Sequence, residues 1–146
     1  MYRRILVPID GSEAAENAIP HALDLAETYD AALYTVSVVD TSEREDGDKR
    51  EAMFEEYERE SKEMVEDVIR RAEARDVRTT AGSIAEGKPH RAILRYAVDQ
   101  DIDLIVMGTY GQRGILRPLR RSVTEKVVRR ATVPVVTVRL QEREEE

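Results

Sequence analysis

Short apolar runs alternate with segments of helical period along almost the whole of this sequence, and that alternation limits the fold more than any single residue does. Arg4–Ile9, Ala32–Val39, Val77–Ile84, Asp103–Met107 and Val133–Val138 read as five strands. Four segments between them carry apolar residues at helical spacing. Strands that alternate with helices form a parallel sheet, because each right-handed crossover returns the chain in the same direction with its helix on a face. The expected class is therefore α/β, an open, doubly wound parallel sheet with helices on both faces. The core domain is expected over residues 1–140, with 141–146 as a charged tail.

The first strand is apolar throughout, as a strand covered on both faces should be. Pro8 cannot donate to a ladder and is expected where the strand leaves the sheet. Asp10-Gly11-Ser12 is a turn, with Asp10 or Ser12 suited to cap the helix behind it. That helix is expected to bury Ala15, Ala18, Ile19, Ala22, Leu25, Ala26 and Tyr29, with a kink at Pro20. A polar loop, Asp40–Asp48, precedes a long helix over Lys49–Arg75 whose stripe is Met53, Tyr57, Met64, Val65, Val68, Ile69 and Ala72. The next helix restarts at Pro89, runs to Gln100 and buries Ile93, Leu94 and Ala97. Ser122-Val-Thr-Glu125 has the spacing of a capping box and is expected to open the last helix.

Composition excludes several chemistries. There is no cysteine among the 146 residues, so disulfides, thiol catalysis and thiolate metal sites are out. No apolar run approaches the ~20 residues of a membrane helix, and the start reads as a charged strand and not as a leader. A cytoplasmic location is expected, with no membrane partner. His21 and His90 stand alone in helical segments, without a second ligand at metal spacing, and read as surface or helix-end residues. No metal site and no catalytic residue are assigned.

Charge is distributed unevenly. The net charge is −7, and residues 41–67 carry twelve acids against five bases. Residues 108–130 carry seven bases, Arg113, Arg117, Arg120, Arg121, Lys126, Arg129 and Arg130, against Glu125 alone. The acids read as a solvated helix face. Arg129 and Arg130 suit a helix C-terminus; the arginines from 113 to 121 point to a small anion. The acidic total argues against a nucleic-acid partner.

In open parallel sheets, ligands bind beyond the carboxyl ends of the strands where the winding reverses. Two segments qualify: Pro8-Ile9-Asp10-Gly11-Ser12 and Met107-Gly-Thr-Tyr-Gly-Gln-Arg-Gly114. Glycines at 108, 111 and 114 are expected to take positive φ and turn N–H groups inward as an anion nest, and the helix start at Ser122 adds unpaired donors. A Walker phosphate loop and a serine nucleophile elbow are both absent.

Four stretches carry a resemblance: Ile5-Leu-Val-Pro-Ile-Asp-Gly-Ser12, Asp103-Leu-Ile-Val-Met-Gly-Thr-Tyr-Gly111, Ser122-Val-Thr-Glu-Lys-Val-Val128 and Val133-Pro-Val-Val-Thr-Val-Arg139. Together, in order and across nearly the whole chain, they resemble the universal stress protein family. The resemblance implies strand order 3-2-1-4-5, with strands one and four adjacent at the switch point. The ATP-binding branch has a glycine, two residues, a glycine, nine residues, then glycine and serine or threonine. Here that pattern falls on Gly108, Gly111, position 121 and Ser122, and position 121 is Arg.

The resemblance further implies that Asp10 meets the ribose or adenine edge, with Pro8 and Ile9 beside it, and that Val38 and Met107 flank the base. Gly108, Gly111, Ser122 and Val123 would contact phosphates. Residue by residue, Asp10 serves equally as a turn or cap residue, Val38 and Met107 as core, and Ser122 as an N-cap. If a left-handed backbone is needed there, Arg121 is strained, and its side chain would fill space that a triphosphate needs. Sterics are expected to outweigh the attraction of its charge, so that ATP binds more weakly than with the full motif while some anion binding at the arginines survives. The related adenylating enzymes place Ser-Gly-Gly after the first strand; Asp10-Gly11-Ser12 departs from that. The function implied is a nucleotide-responsive, ATP-binding signalling module acting as a homodimer through the apolar fifth strand. The alternatives are a member that works by dimerisation or partner binding without ATP, and a slow ATP hydrolase or phosphotransferase.

Overall fold

A computed structural model describes residues 1–40, 48–80, 82–110 and 118–140 of the chain. The elements are β1 (Arg4–Ile9), α1 (Glu13–Tyr29), β2 (Ala32–Val39), α2 (Asp48–Ala74), β3 (Ser83–Glu86), α3 (Pro89–Asp99), β4 (Leu104–Tyr110), α4 (Pro118–Arg130) and β5 (Val135–Leu140). The five strands form one all-parallel sheet in the order β3-β2-β1-β4-β5. The expected α/β architecture and strand order both hold.

The period-2 alternation of β1 sorts its side chains between two cores. Ile5, Val7 and Ile9 face the layer of α1 and α2, packing with Ala18, Ile19, Ala22, Val65, Val68 and Ala72. Leu6 faces the layer of α3 and α4, with Val36, Ile93, Ala97, Ile105 and Val127. Ile5, Leu6 and Val7 are fully buried, and each such side chain contributes about 1.5–3 kcal/mol relative to exposure. The Asp103 carboxylate accepts from the backbone N–H of Arg3 at 2.9 Å and of Arg4 at 3.2 Å, which fastens the starts of β1 and β4 together.

Three helices end in the same way. Asp30, Asp76 and Asp101 take left-handed backbones, φ 51°, 55° and 53°, just past α1, α2 and α3. Behind each, an apolar residue donates its N–H back across the last turn: Ala31 to Ala26, Val77 to Ala72 and Ile102 to Ala97, all at 2.9 Å. This is the Schellman arrangement, and it turns the chain sharply into the following strand region.

Several sequence expectations are corrected. Tyr29 is 39 % exposed, edge-on to the Tyr2 ring, and Leu23 takes its place in the core. Burial along α2 deepens late: Met53 is half-buried, Tyr57 is 46 % exposed, and the buried positions begin at Ser61 and Val65. The third strand is not Val77–Ile84, because Val77 closes the cap of α2 and, among the described residues, only Thr79 bridges to Leu33 before pairing starts at Ser83. β4 continues past Met107 to Tyr110, and β5 begins at Val135 and not at Val133. α4 begins at Pro118, so Ser122 lies one turn inside the helix and does not cap it. As expected, Pro20 lies inside α1, which is one helix over Glu13–Tyr29. The polar loop expected before α2 falls, over 41–47, outside the described residues.

Candidate functional site

The β1–β2 ladder runs the full length of β1, from Arg4↔Ala32 to Ile9↔Ser37. Its ladder with β4 is confined to Ile5↔Leu104 and Leu6↔Ile105. Pro8, without an N–H, sits just beyond the point where that pairing stops. Past it the carboxyl ends of β1 and β4 enclose a cleft of about 320 Å³, within the range of small-molecule sites.

One wall is Pro8, Ile9 and Asp10 from β1 and its turn. Val36 and Val38 of β2, two residues apart and so on one face, form the second. Met107 and Gly108 of β4 form the floor, Val123 and Thr124 of α4 the far side, and Pro89 and Ile93 of α3 the remaining side. Asp40, Ser12, Ala14 and Ala15 complete the rim. Gly111 lies outside the described residues, as does Gly114; Arg121 and Ser122 are placed by backbone only, within α4.

The turn after β1 is fixed by two hydrogen bonds. The Ser12 N–H donates to Asp10 Oδ1 at 2.9 Å, and Ser12 Oγ accepts from the Ala15 N–H at 3.1 Å. Gly11 between them has φ 77°, a conformation glycine adopts without strain. Asp10 is therefore held in an Asx turn at the mouth of the cleft while Ser12 caps α1.

Gly108 has a different role from the one expected. It lies within β4, and the positive-φ glycines among the described residues are Gly11 and Gly87. Instead, a Cβ at Gly108 would stand 1.9 Å from the Ala14 carbonyl oxygen. The glycine lets α1 start directly against the strand. Its own carbonyl accepts from the Thr124 hydroxyl at 3.0 Å, which ties α4 to the same point. Position 121 has a helical backbone, so the left-handed geometry that would have penalised Arg121 is not what the chain adopts there.

His90 lies at a helix end, as expected, but it is buried and not on the surface. It is 7 % exposed, in the first turn of α3, with Nε2 3.3 Å from Arg130 Nη1. Burial, followed by the charges of Lys126, Arg130, Arg91 and Lys88, lowers its pKa. His21 is exposed, as expected.

The sequence pattern missed Ala14, Ala15, Val36, Asp40, Pro89, Ile93 and Thr124 as cleft residues. The parity of Val36 and Asp40 with Val38 was the available signal for those two; the others arrive through tertiary packing. Among the described residues no cluster of three or more His, Asp or Glu could hold a metal, and no helix is long and apolar enough to cross a membrane.

The family model described as the universal stress protein family matches residues 1–139. The chain belongs to the universal stress protein family. Universal stress protein MJ0531 of Methanocaldococcus jannaschii is 34 % identical over 99 % of this chain and 86 % of its own. Among solved universal stress protein folds, that of MJ0577 from the same organism superposes with a TM-score of 0.86 at 28 % identity, covering 97 % of this chain and 99 % of the other. A universal stress protein family member from Arabidopsis thaliana, solved with AMP bound, matches with a TM-score of 0.73 at 15 % identity over 99 % and 95 % of the two chains. Another, in complex with cAMP, gives 0.70 at 23 % over 96 % and 98 %. At those last two identities the likeness is one of fold.

Proposed function

We propose that this universal stress protein is a nucleotide-responsive binding module, with ATP as the ligand its motif favours, held in the cleft between the carboxyl ends of β1 and β4. The observation that carries this reading is that Pro8, Ile9, Asp10, Val38, Met107, Gly108 and Val123, all assigned from sequence, line one cleft. In this reading Val38 and Met107 sandwich the base, the Asp10 carboxylate accepts from ribose hydroxyls or the adenine edge, and the phosphates run toward Gly108, Gly111 and α4. Val123 on α4 lines the cleft, and the family motif adds the preceding α4 positions 121 and 122 as those that would meet the phosphates. Fold neighbours solved with AMP and with cAMP are consistent with nucleotide occupancy.

Binding is favoured over turnover by the hydroxyl groups of the cleft. The Thr124 proton is directed at the Gly108 carbonyl, and Ser12 Oγ accepts from the Ala15 N–H as the cap of α1, so both hydroxyls already serve the fold. The module is assigned to the cytoplasm and to a homodimer paired through β5, the sheet's edge. Isothermal calorimetry with ATP tests the reading: saturable one-to-one binding supports it, and no heat at millimolar ATP would leave the family member that acts by dimerisation alone.

A further inference from the structure

Basic residues on two parts of the described structure differ in their partners. On the α1–α2 face they are matched with acids: Arg71 with Glu16, and Arg75 with both Asp24 and Glu27. At the start of α3 and along α4 the pattern is reversed. Lys88, Arg91, Lys126 and Arg130 all bear electrostatically on His90, and no ion pair among the described residues includes any of the four.

The imidazole at the centre of this cluster is nine-tenths buried. A guanidinium only donates, so the 3.3 Å contact makes His90 Nε2 the acceptor from Arg130. The ring proton is then on Nδ1, and no acceptor for it is found among the described residues. The helix end beside it is also open: Lys88 provides no side-chain cap, the first turn of α3 holds no acid, and the first intrahelical bond comes from the Ala92 N–H. Glu86 on β3 and Glu125 on α4 are the sequence-adjacent acids, and neither is among the charges acting on His90, nor is any group of β2. A nine-tenths-buried histidine in contact with Arg130 and the uncapped start of α3 therefore meet at one corner, with the exposed cations Lys88 and Arg91 beside His90 in sequence and Lys126 one turn from Arg130 on α4.

We propose that this α3–α4 corner is a second ligand site, separate from the cleft, which takes a phosphate-class dianion between His90 and the cations Lys88, Arg91, Lys126 and Arg130. None of these five residues lines the cleft, so the site extends the proposed function without depending on it. A tetrahedral dianion offers several acceptor oxygens to donors that arrive from two helices, which a single carboxylate cannot match. Binding is coupled to protonation: burial first and the neighbouring cations second lower the His90 pKa, and a bound anion offsets the cation part, so occupancy raises the pKa and affinity increases as pH falls.

The chain has two histidines, and exposed His21 provides an internal reference. The test follows both imidazole Cε1–H signals by NMR against pH in the full chain. Inorganic phosphate, glycerol 3-phosphate and chloride are compared at matched ionic strength. The expected result is that phosphate raises the His90 midpoint by about half a unit or more while His21 stays in place. A larger response to glycerol 3-phosphate would identify the ligand as a phosphomonoester; an equal or smaller one, as free phosphate. Arg130→Gln and Lys126→Gln are expected to raise the His90 midpoint in chloride yet diminish the response to phosphate, which a merely structural role would not produce. A His90 midpoint indifferent to phosphate, or one that moves together with His21, overturns the proposal.

Discussion

Gly108 and Ala14 approach so closely that a single added carbon on Gly108 would lie 1.9 Å from the Ala14 carbonyl oxygen and 2.3 Å from its carbonyl carbon. Both belong to backbone, so no side chain can rotate away to make room. The start of α1 and the end of β4 are locked at this distance, and both form part of the cleft. Gly108→Ala is therefore expected to lower stability by about 3 kcal/mol, the upper part of the overpacking range. Urea unfolding monitored by circular dichroism measures this; a loss below 1 kcal/mol would mean that α1 slides freely along β4.

Asp76 occupies a left-handed conformation after α2, which costs a residue with a side chain roughly 1–2 kcal/mol, less for Asp than for most. No ion pair involves it among the described residues, unlike Asp30 with Arg78 and Asp101 with Arg4. Asp76→Gly is expected to stabilise by about 0.5–1 kcal/mol after glycine's greater unfolded-state entropy is subtracted. The same denaturation measurement decides it, with Asp30→Gly expected to gain less.

These caps also show why part of the fold was hard to see in the sequence. β1 and β2 were legible because a strand buried on both faces is largely apolar, the polar Thr35 and Ser37 of β2 being buried with hydrogen-bond partners. Val77 was misread as strand because an apolar residue after a polar helix end looks the same whether it enters a sheet or closes a Schellman turn. The recurrence of aspartate before an apolar residue at Asp30-Ala31, Asp76-Val77 and Asp101-Ile102 was the signal that separates the two. Ser122 had capping-box spacing, but Pro118, preorganised for a first turn, starts α4 a turn earlier. In the cleft, the β1 and β4 residues were readable because the strand ends carry them. Pro89, Ile93 and Thr124 come from helices whose placement depends on packing across the sheet.

His90 makes stability depend on pH. Its folded pKa lies below the ordinary value of 6.5, so between the two the unfolded chain binds more protons. Its contribution is fully present above about pH 6.5 and is lost as pH falls toward the folded value. In phosphate-free buffer, the wild-type midpoint for thermal unfolding is expected to rise from pH 5.5 to pH 7.5 (about one unit either side of that value) more steeply than that of His90→Gln. Parallel profiles for the two proteins would remove His90 from the account.

The outer side of β5 has no strand partner in the sheet. The Ile105 N–H donates to the Pro134 carbonyl, so by the parallel pattern the N–H groups of Val136 and Val138 face β4, and that of Thr137 faces outward. Val136 is 37 % exposed on this strand. Thr137→Pro removes an outward donor and leaves the β4 ladder intact. Sedimentation at tens of micromolar is expected to show a dimer for the wild type and a monomer for Thr137→Pro. A wild-type monomer, or a dimer untouched by the proline, would move the interface elsewhere.

The central claim is that a nucleotide base lies between Val38 and Met107. The chain has four methionines, and Met107 is the one in the cleft, so its methyl carbon is a direct reporter. With [methyl-13C]methionine protein, ATP is expected to shift the Met107 methyl signal upfield through the adenine ring current, while Met1 and Met53 stay fixed. Tripolyphosphate, which lacks the base, should leave Met107 unmoved. A Met107 signal indifferent to saturating ATP, or one that tripolyphosphate shifts equally, would contradict the placement of the nucleotide in this cleft.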